Sequence, residues 1–211
     1  GVGALIVMSS LMFGFQNYFI QQVIDLEAHI SIKPKEYADE ERIVKMVRPD
    51  ALWKVYSSKP KEEDKIVGWR EILRDIEKRE DVVGVAPHLV VRGILKYGTK
   101  EKPVTLIGID PDMEPKASVI QRFLEYKRLE SLKTNKDAVI LDKLVAKDLG
   151  IRETGRKVIL VLPNGQTYLL RVEDFFNSGI TNIDNTRVYM HIRTLQALMD
   201  RVDEVNEIVI K

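Results

Sequence analysis

The sequence predicts an α+β fold of two lobes carried on an N-terminal stem helix, and three observations predict it. Gly1 to Ile24 runs without a charged side chain until Asp25 ends the stretch. Farther on, short runs rich in β-branched residues flank turn sequences, most plainly Asn164-Gly165. Between such runs Trp69, Ile72, Leu73 and Ile76 are spaced by threes and fours, one apolar helical face. Strands and helices mixed in order, with hairpins, mark an α+β protein.

The stem comes first. A helix rises about 1.5 Å per residue, so roughly 20 apolar residues cross the hydrocarbon layer of a bilayer. Residues 1–24 have that length. Phe15, Tyr18 and Phe19 alternate with Gln16, Asn17, Gln21 and Gln22, and aromatics beside amides suit a membrane interface. Residues from Gly1 to about Phe15 are therefore expected in the membrane, and Gln16 to Ile24 as the same helix emerging into water. A secretory signal peptide fits less well, because a basic leading region and a small-x-small cleavage site are missing. A buried core helix fits less well too, being usually shorter and striped with polar residues. Gly1 in place of Met implies residues upstream, so loop charge gives no orientation.

Ala28 to Ile32 alternates as a strand and stops at Pro34. Pro34 to Val67 is a charged excursion. The helix holding Trp69, Ile72, Leu73 and Ile76 is expected between Gly68 and Arg79. Val82 to Pro87, Leu89 to Leu95 and Val104 to Ile109 are strands, the last two joined as a hairpin across a polar turn containing Gly98. Asp110-Pro111-Asp112 ends the ladder. Ala117 to Leu129 is a helical candidate, Asp137 to Ile140 a strand, and Leu141 to Leu149 a helix closed by Gly150 in the left-handed conformation. Lys157 to Leu162 and Thr167 to Val172 form a hairpin around Pro163-Asn164-Gly165-Gln166, and Phe175-Phe176 extends the sheet. A strand at Arg187 to Met190, a helix from Ile192 to Arg201 and a strand from Val205 to Lys211 complete the chain.

Composition narrows the function. Across 211 residues, 31% are charged, yet the net charge is +1 and the signs alternate, so no broad basic face points to nucleic acid. Lys33-Pro34-Lys35 and Lys59-Pro60-Lys61 read as solvated loops. With no cysteine, disulfides and thiolate metal sites are excluded. His29, His88 and His191 have no companion at metal-ligand spacing and read as surface or strand-edge residues, so no metal site is expected. Asp110 and Asp112 read as turn formers around Pro111. No nucleophile elbow or phosphate loop is present, so no catalytic residue is assigned and the chain is not expected to be an enzyme.

Several pieces together resemble the extracytoplasmic domain of the ABC permease family that includes LolC, LolE and MacB. They are the uncharged stem with Ala28-His29-Ile30, Val85-Ala86-Pro87 before a hairpin, and Val104 to Pro111 (VTLIGIDP). Val145 to Gly150 and Phe175 to Gly179, followed by Asp184 and Val188-Tyr189, continue the series. The Gly-Ile-Asp-Pro turn looks most like the lipoprotein-releasing branch. The resemblance implies a transmembrane helix and stem over 1–24, a Porter-like subdomain over 25–107 and 187–211, and an inserted Sabre-like subdomain over 108–186. It implies a bacterial inner-membrane protein whose residues from about 25 onward lie in the periplasm. The implied partners are a cytoplasmic ABC ATPase subunit, a second permease copy or paralogue, lipoprotein cargo and a periplasmic carrier. No cofactor is expected in this chain, ATP and Mg belonging to the ATPase.

Departures from the family pattern are Asp142, where Gly is usual, and Gly155-Arg156, where Gly-Asp is common; both read as surface changes. LolC-type proteins carry a long hairpin, a hook that grips the lipoprotein carrier. Here the tight turn Pro163, Asn164, Gly165 and Gln166 stands in its place, the expected carrier contact, which favours a LolE-type partner or a single-permease version. On the stem, Met8, Leu11, Met12, Phe15 and Phe19 recur at helical spacing and form a candidate surface for acyl chains, each buried methylene being worth roughly 0.8 kcal/mol. Ser10 and Gly14, four apart, permit close helix packing. The alternative readings are a MacB-like mechanotransmission permease exporting periplasmic solutes or peptides, and a membrane-anchored regulatory domain that transports nothing.

Overall fold

The computed structural model describes residues 2–26, 30–34, 65–177 and 186–211, with side chains of the first helix described over residues 2–16. The uncharged run is helical: α1 spans Val2–Leu26. Among the described residues, no helix is long and apolar enough to cross a membrane. The expectation for residues 1–24 is thus met in the helix and not, among these residues, in a membrane span. The excursion expected from Pro34 to Val67 lies outside the described residues apart from its ends.

Among the described residues, eight strands make the sheet: β1 (Ile30–Ile32), β2 (Val85–Tyr97), β3 (Lys100–Ile109), β4 (Ala138–Asp142), β5 (Lys157–Val161), β6 (Thr167–Phe176), β7 (Arg187–His191) and β8 (Glu207–Ile210). Their order is β1-β8-β2-β3-β7-β4-β6-β5, and β5 pairs back onto β2. Strands β2, β3, β7, β4, β6 and β5 therefore close a ring, with β8 and β1 extending from one half of β2. The length of β2 makes this possible: Val85–His88 pairs with β8, whereas Ile94–Lys96 pairs with β5.

Side chains alternate across each strand, so the ring has two faces. Val91 and Leu95 of β2, Leu106 of β3, Val139 and Leu141 of β4, Leu160 of β5, Val172 of β6 and Met190 of β7 belong to one buried cluster. The intervening Ile107, Ile109, Ala138, Ile140 and Tyr189 belong to a second. Residues 114–134 cover that second face, with Ile120, Leu124, Leu129 and Leu132 packed against it. Helix α2 (Trp69–Glu77) buries Leu73, helix α5 (Lys143–Leu149) Val145, Ala146 and Leu149, and helix α6 (Ile192–Leu198) Ile192 and Leu195. Gly108 admits α6, since a Cβ there would lie 3.1 Å from the Cα of Ile192.

Two expectations are corrected. The helix expected over Ala117 to Leu129 is instead α3 (Glu114–Ala117), a 3-10 turn (Ile120–Phe123), an irregular stretch in which Lys127 has φ +57°, and α4 (Ser131–Thr134). Partners outside the segment take its backbone N–H groups: the Phe175 carbonyl accepts from Glu125 at 3.0 Å, and Asp174 accepts from Tyr126 at 3.0 Å and Arg128 at 2.8 Å. A register shift between Val139 and Ile140 aims Asp174 there by setting it opposite outward-facing Ile140. Second, Asp142 is fully buried rather than a surface change. Its Oδ1 accepts the Leu144 N–H at 2.6 Å and caps α5. The step from Ile107 to Gly108 falls inside β3, and β4 and β5, from the expected inserted lobe, pair with β7 and β2 outside it.

Candidate functional site

On the stem, Met8, Leu11, Met12 and Phe15 are each exposed by two thirds or more, while the Phe19 side chain lies outside the described residues. Among the described residues, nothing lies within 4 Å of a Cβ built on Gly14. The tight turn is formed as expected. Gly165 has φ +81° and donates to the Leu162 carbonyl at 2.9 Å, and Asn164 Oδ1 accepts from the Gln166 N–H at 3.0 Å. Pro163, Asn164, Gly165 and Gln166 are all exposed at the tip between β5 and β6. Asp110 also acts as read: its Oδ1 accepts from the Asp112 N–H at 3.0 Å.

A pocket of about 310 Å³ lies where β8 and β1 leave the ring, closed on one side by residues 114–123. Its apolar wall includes Val90, Ile107, Ile120, Phe123 and Phe176. Phe176 meets Tyr189 edge-on at 5.4 Å and Phe123 at 6.1 Å between ring centroids. Its polar lining is His88, Glu114, Ser118, Tyr189, Arg187, Lys33 and Glu207 among others.

His88 and Glu114 are the buried heart of this lining, and the sequence reading missed them. His88, expected at a surface or strand edge, is 7% exposed, and its Nε2 lies 2.7 Å from Glu114 Oε2. The other carboxylate oxygen accepts from Ser118 Oγ at 2.6 Å. Burial pushes the His88 imidazole down, but attraction to Glu114 and their hydrogen bond outweigh it and hold its pKa above the usual value. Burial likewise pushes Glu114 up, and His88 and then Ser118 bring it below the usual carboxylate value. His88 is thus the charged donor and Glu114 the charged acceptor. Together they fasten α3 to β2. Close by, Asn206 accepts the Val90 N–H at 2.7 Å and donates to its carbonyl at 2.8 Å, tying the start of β8 to β2.

Burial pushes the Tyr189 phenol up to about 12, with Arg187, through charge and a hydrogen bond, pulling the other way. Lys33, read as part of a solvated loop, meets Glu207 at 3.1 Å. His191 sits at the start of α6, where its Nδ1 accepts from the Arg193 N–H at 3.1 Å, while His29 and the Lys59-Pro60-Lys61 cluster lie outside the described residues. Among the described residues, no three His, Asp or Glu side chains are grouped to hold a metal ion. Chemically the pocket offers an apolar wall beside fixed charge, an arrangement suited to holding a group rather than transforming one.

The family model of the MacB-like periplasmic core domain matches residues 1–211. The chain belongs to that family. Among curated relatives of this MacB-like core domain is the lipoprotein-releasing system transmembrane protein LolC of Neisseria meningitidis, 25% identical over 207 residues, covering 94% of this chain and 43% of that protein. LolC of Xylella fastidiosa strain Temecula1 is 24% identical over 220 residues, covering 100% of this chain and 46% of that protein. The MacB-like chain thus spans less than half the length of these relatives. Among solved structures, the extracellular domain of the noncanonic ABC-type transporter YknZ from Gram-positive bacteria is 15% identical, with a TM-score of 0.48, covering 70% of this chain and 73% of that one. The periplasmic region of MacB from Actinobacillus actinomycetemcomitans is 15% identical, with a TM-score of 0.47, covering 75% and 70% respectively.

Proposed function

We propose that this MacB-like core domain is the periplasmic part of an inner-membrane ABC permease that couples cytoplasmic ATP hydrolysis to extraction of lipoproteins from that membrane. The observation that carries the reading is similarity to LolC proteins from the stem to the last strand, reaching 100% of the chain. In this reading residues 1–24 end a transmembrane helix and continue as a stem, and residues from about 25 onward face the periplasm. A separate or fused cytoplasmic ATPase binds ATP and Mg, and this chain hydrolyses nothing. Its other partners are a second permease copy or paralogue, lipoprotein cargo and a periplasmic carrier. Residues 108–186 act as the Sabre-like insertion and the rest of the domain as its Porter-like frame. Because β5 pairs directly with β2, movement of the frame is transmitted to the insertion without a hinge between them.

Met8, Leu11, Met12, Phe15 and Phe19 supply the acyl-chain surface, and Ser10 with Gly14 the close contact to a neighbouring helix. One observation favours a second reading. The connection at 163–166 is a tight turn rather than a long hook, which suits a MacB-like permease that exports periplasmic solutes or peptides without a lipoprotein carrier. Photo-crosslinking residues at Phe15 and Gln166 in the intact permease separate the two. Capture of lipoprotein at Phe15 and a soluble carrier at Gln166 is expected. Capture of neither, with an outer-membrane duct or adaptor captured instead, overturns lipoprotein release in favour of export.

A further inference from the structure

A second concavity, of about 690 Å³, opens beside α5 at the far side of its Gly150 cap. Lys100, Lys143, Lys147 and Arg152 line it, opposed there by the single carboxylate of Glu125. That imbalance survives local pairing. Lys143 meets Glu125 at 3.0 Å, and Lys100 donates to the Asp148 carbonyl at 3.0 Å, its charge and that of Lys147 being felt by the Asp148 carboxylate. The Asp148 carboxylate is engaged by Lys102, and Lys147 and Arg152 form no ion pair with any described residue. Like charges gathered in one concavity repel, and an anion seated among them relieves that cost.

Beneath the charges the floor is apolar, with Ala146, Ile151 and Phe175 buried and Leu144 half-buried. Cationic ends above an apolar floor match a ligand having an anionic head and a hydrocarbon segment. A guanidinium and ammonium groups recognise phosphate through charge-assisted hydrogen bonds. We infer that this basin binds a phosphate-bearing amphiphile, the phosphate held by Lys100, Lys147 and Arg152 and the hydrocarbon laid on Leu144 and Ile151. The site is distinct from the stem surface and does not depend on which cargo the permease carries.

The test is a titration of the full chain followed through backbone amide NMR shifts at Gly150 and Ile151. The probes are dihexanoyl-phosphatidylglycerol, dihexanoyl-phosphatidylcholine and inorganic phosphate, the lipids kept below micelle formation. The glycerol lipid is expected to move both amides and to bind more tightly than either other probe. K147Q/R152Q, two exposed positions whose change leaves the fold intact, should weaken it roughly five- to thirtyfold. Leu144→Ser should weaken the lipid while sparing phosphate. Phosphate binding as tightly as the lipid identifies a free anion as the ligand and overturns the amphiphile. Unmoved amides at Gly150 and Ile151, or lipid affinity unchanged in K147Q/R152Q, overturn the site itself, including the case where lipid shifts only the amides of α1.

Discussion

The two concavities handle charge in opposite ways. In the His88 pocket the central charges are buried, face one another at 2.7 Å and are completed by Ser118. In the Lys147 basin the charges are exposed and predominantly positive, four cations facing the single lining carboxylate of Glu125. A buried group must be paired within the fold because water cannot reach it, whereas an exposed group can stay solvated until something binds. The first arrangement is therefore part of what holds residues 114–123 on the ring, and the second contributes little to folding.

Glu114→Ala tests that contrast most severely. Leaving His88 buried without its carboxylate should cost about 3–5 kcal/mol in urea unfolding, whereas H88L/E114L, which removes both charges, should recover most of the loss. A single variant within about 1 kcal/mol of the parent would reduce the pair to a spectator. Acidity should sharpen the same point. The His88 pKa is raised in the fold, so its contribution is complete below the unfolded value of 6.5 and is lost as pH rises through the higher folded value. The Glu114 pKa is lowered, so its contribution is present above the unfolded value of 4.5 and is lost as pH falls through the lower folded value. The melting-temperature advantage of the parent over H88L/E114L should therefore be greatest between 4.5 and 6.5 and shrink on both sides. A difference that stays unchanged well below 4.5 and well above 6.5 would contradict the charged pair. The smallest effect belongs to the basin: K147Q/R152Q should change unfolding free energy by no more than about 0.5 kcal/mol. A large destabilisation there would erase the distinction between the two concavities.

Local signals in the sequence were reliable where a single element could satisfy itself. Asn164-Gly165 formed its turn, Gly150 closed α5 with φ +82°, and the spacing around Leu73 became α2. They failed where a distant partner decided the outcome. The spacing of Ile120, Phe123 and Leu124 is compatible with a helix, but Asp174, some fifty residues on, takes two of the N–H groups that helix would need. His88 looked like a surface residue because its partner is 26 positions away, beyond the Asp110 turn. Asp142 looked like a surface change because its capping role depends on where β4 stops and α5 begins. The Lys147 basin assembles the start of β3, both ends of α5 and the end of β6, a grouping that no periodicity in the chain encodes.

Closure of the ring has a further consequence, for self-association. A paired strand edge offers no backbone donors or acceptors to another chain, and each of the six ring strands is paired along at least part of both edges. Among the described strands only β1 ends the order with a single neighbour, β8. It is three residues long, and Lys33 and Pro34 follow it directly. A charge and an imide nitrogen at that point make a poor template for a foreign strand. A domain so rich in β-branched segments thus leaves, beside β1, only short edges such as 100–104 of β3 and 167–170 of β6 to seed a cross-β ladder.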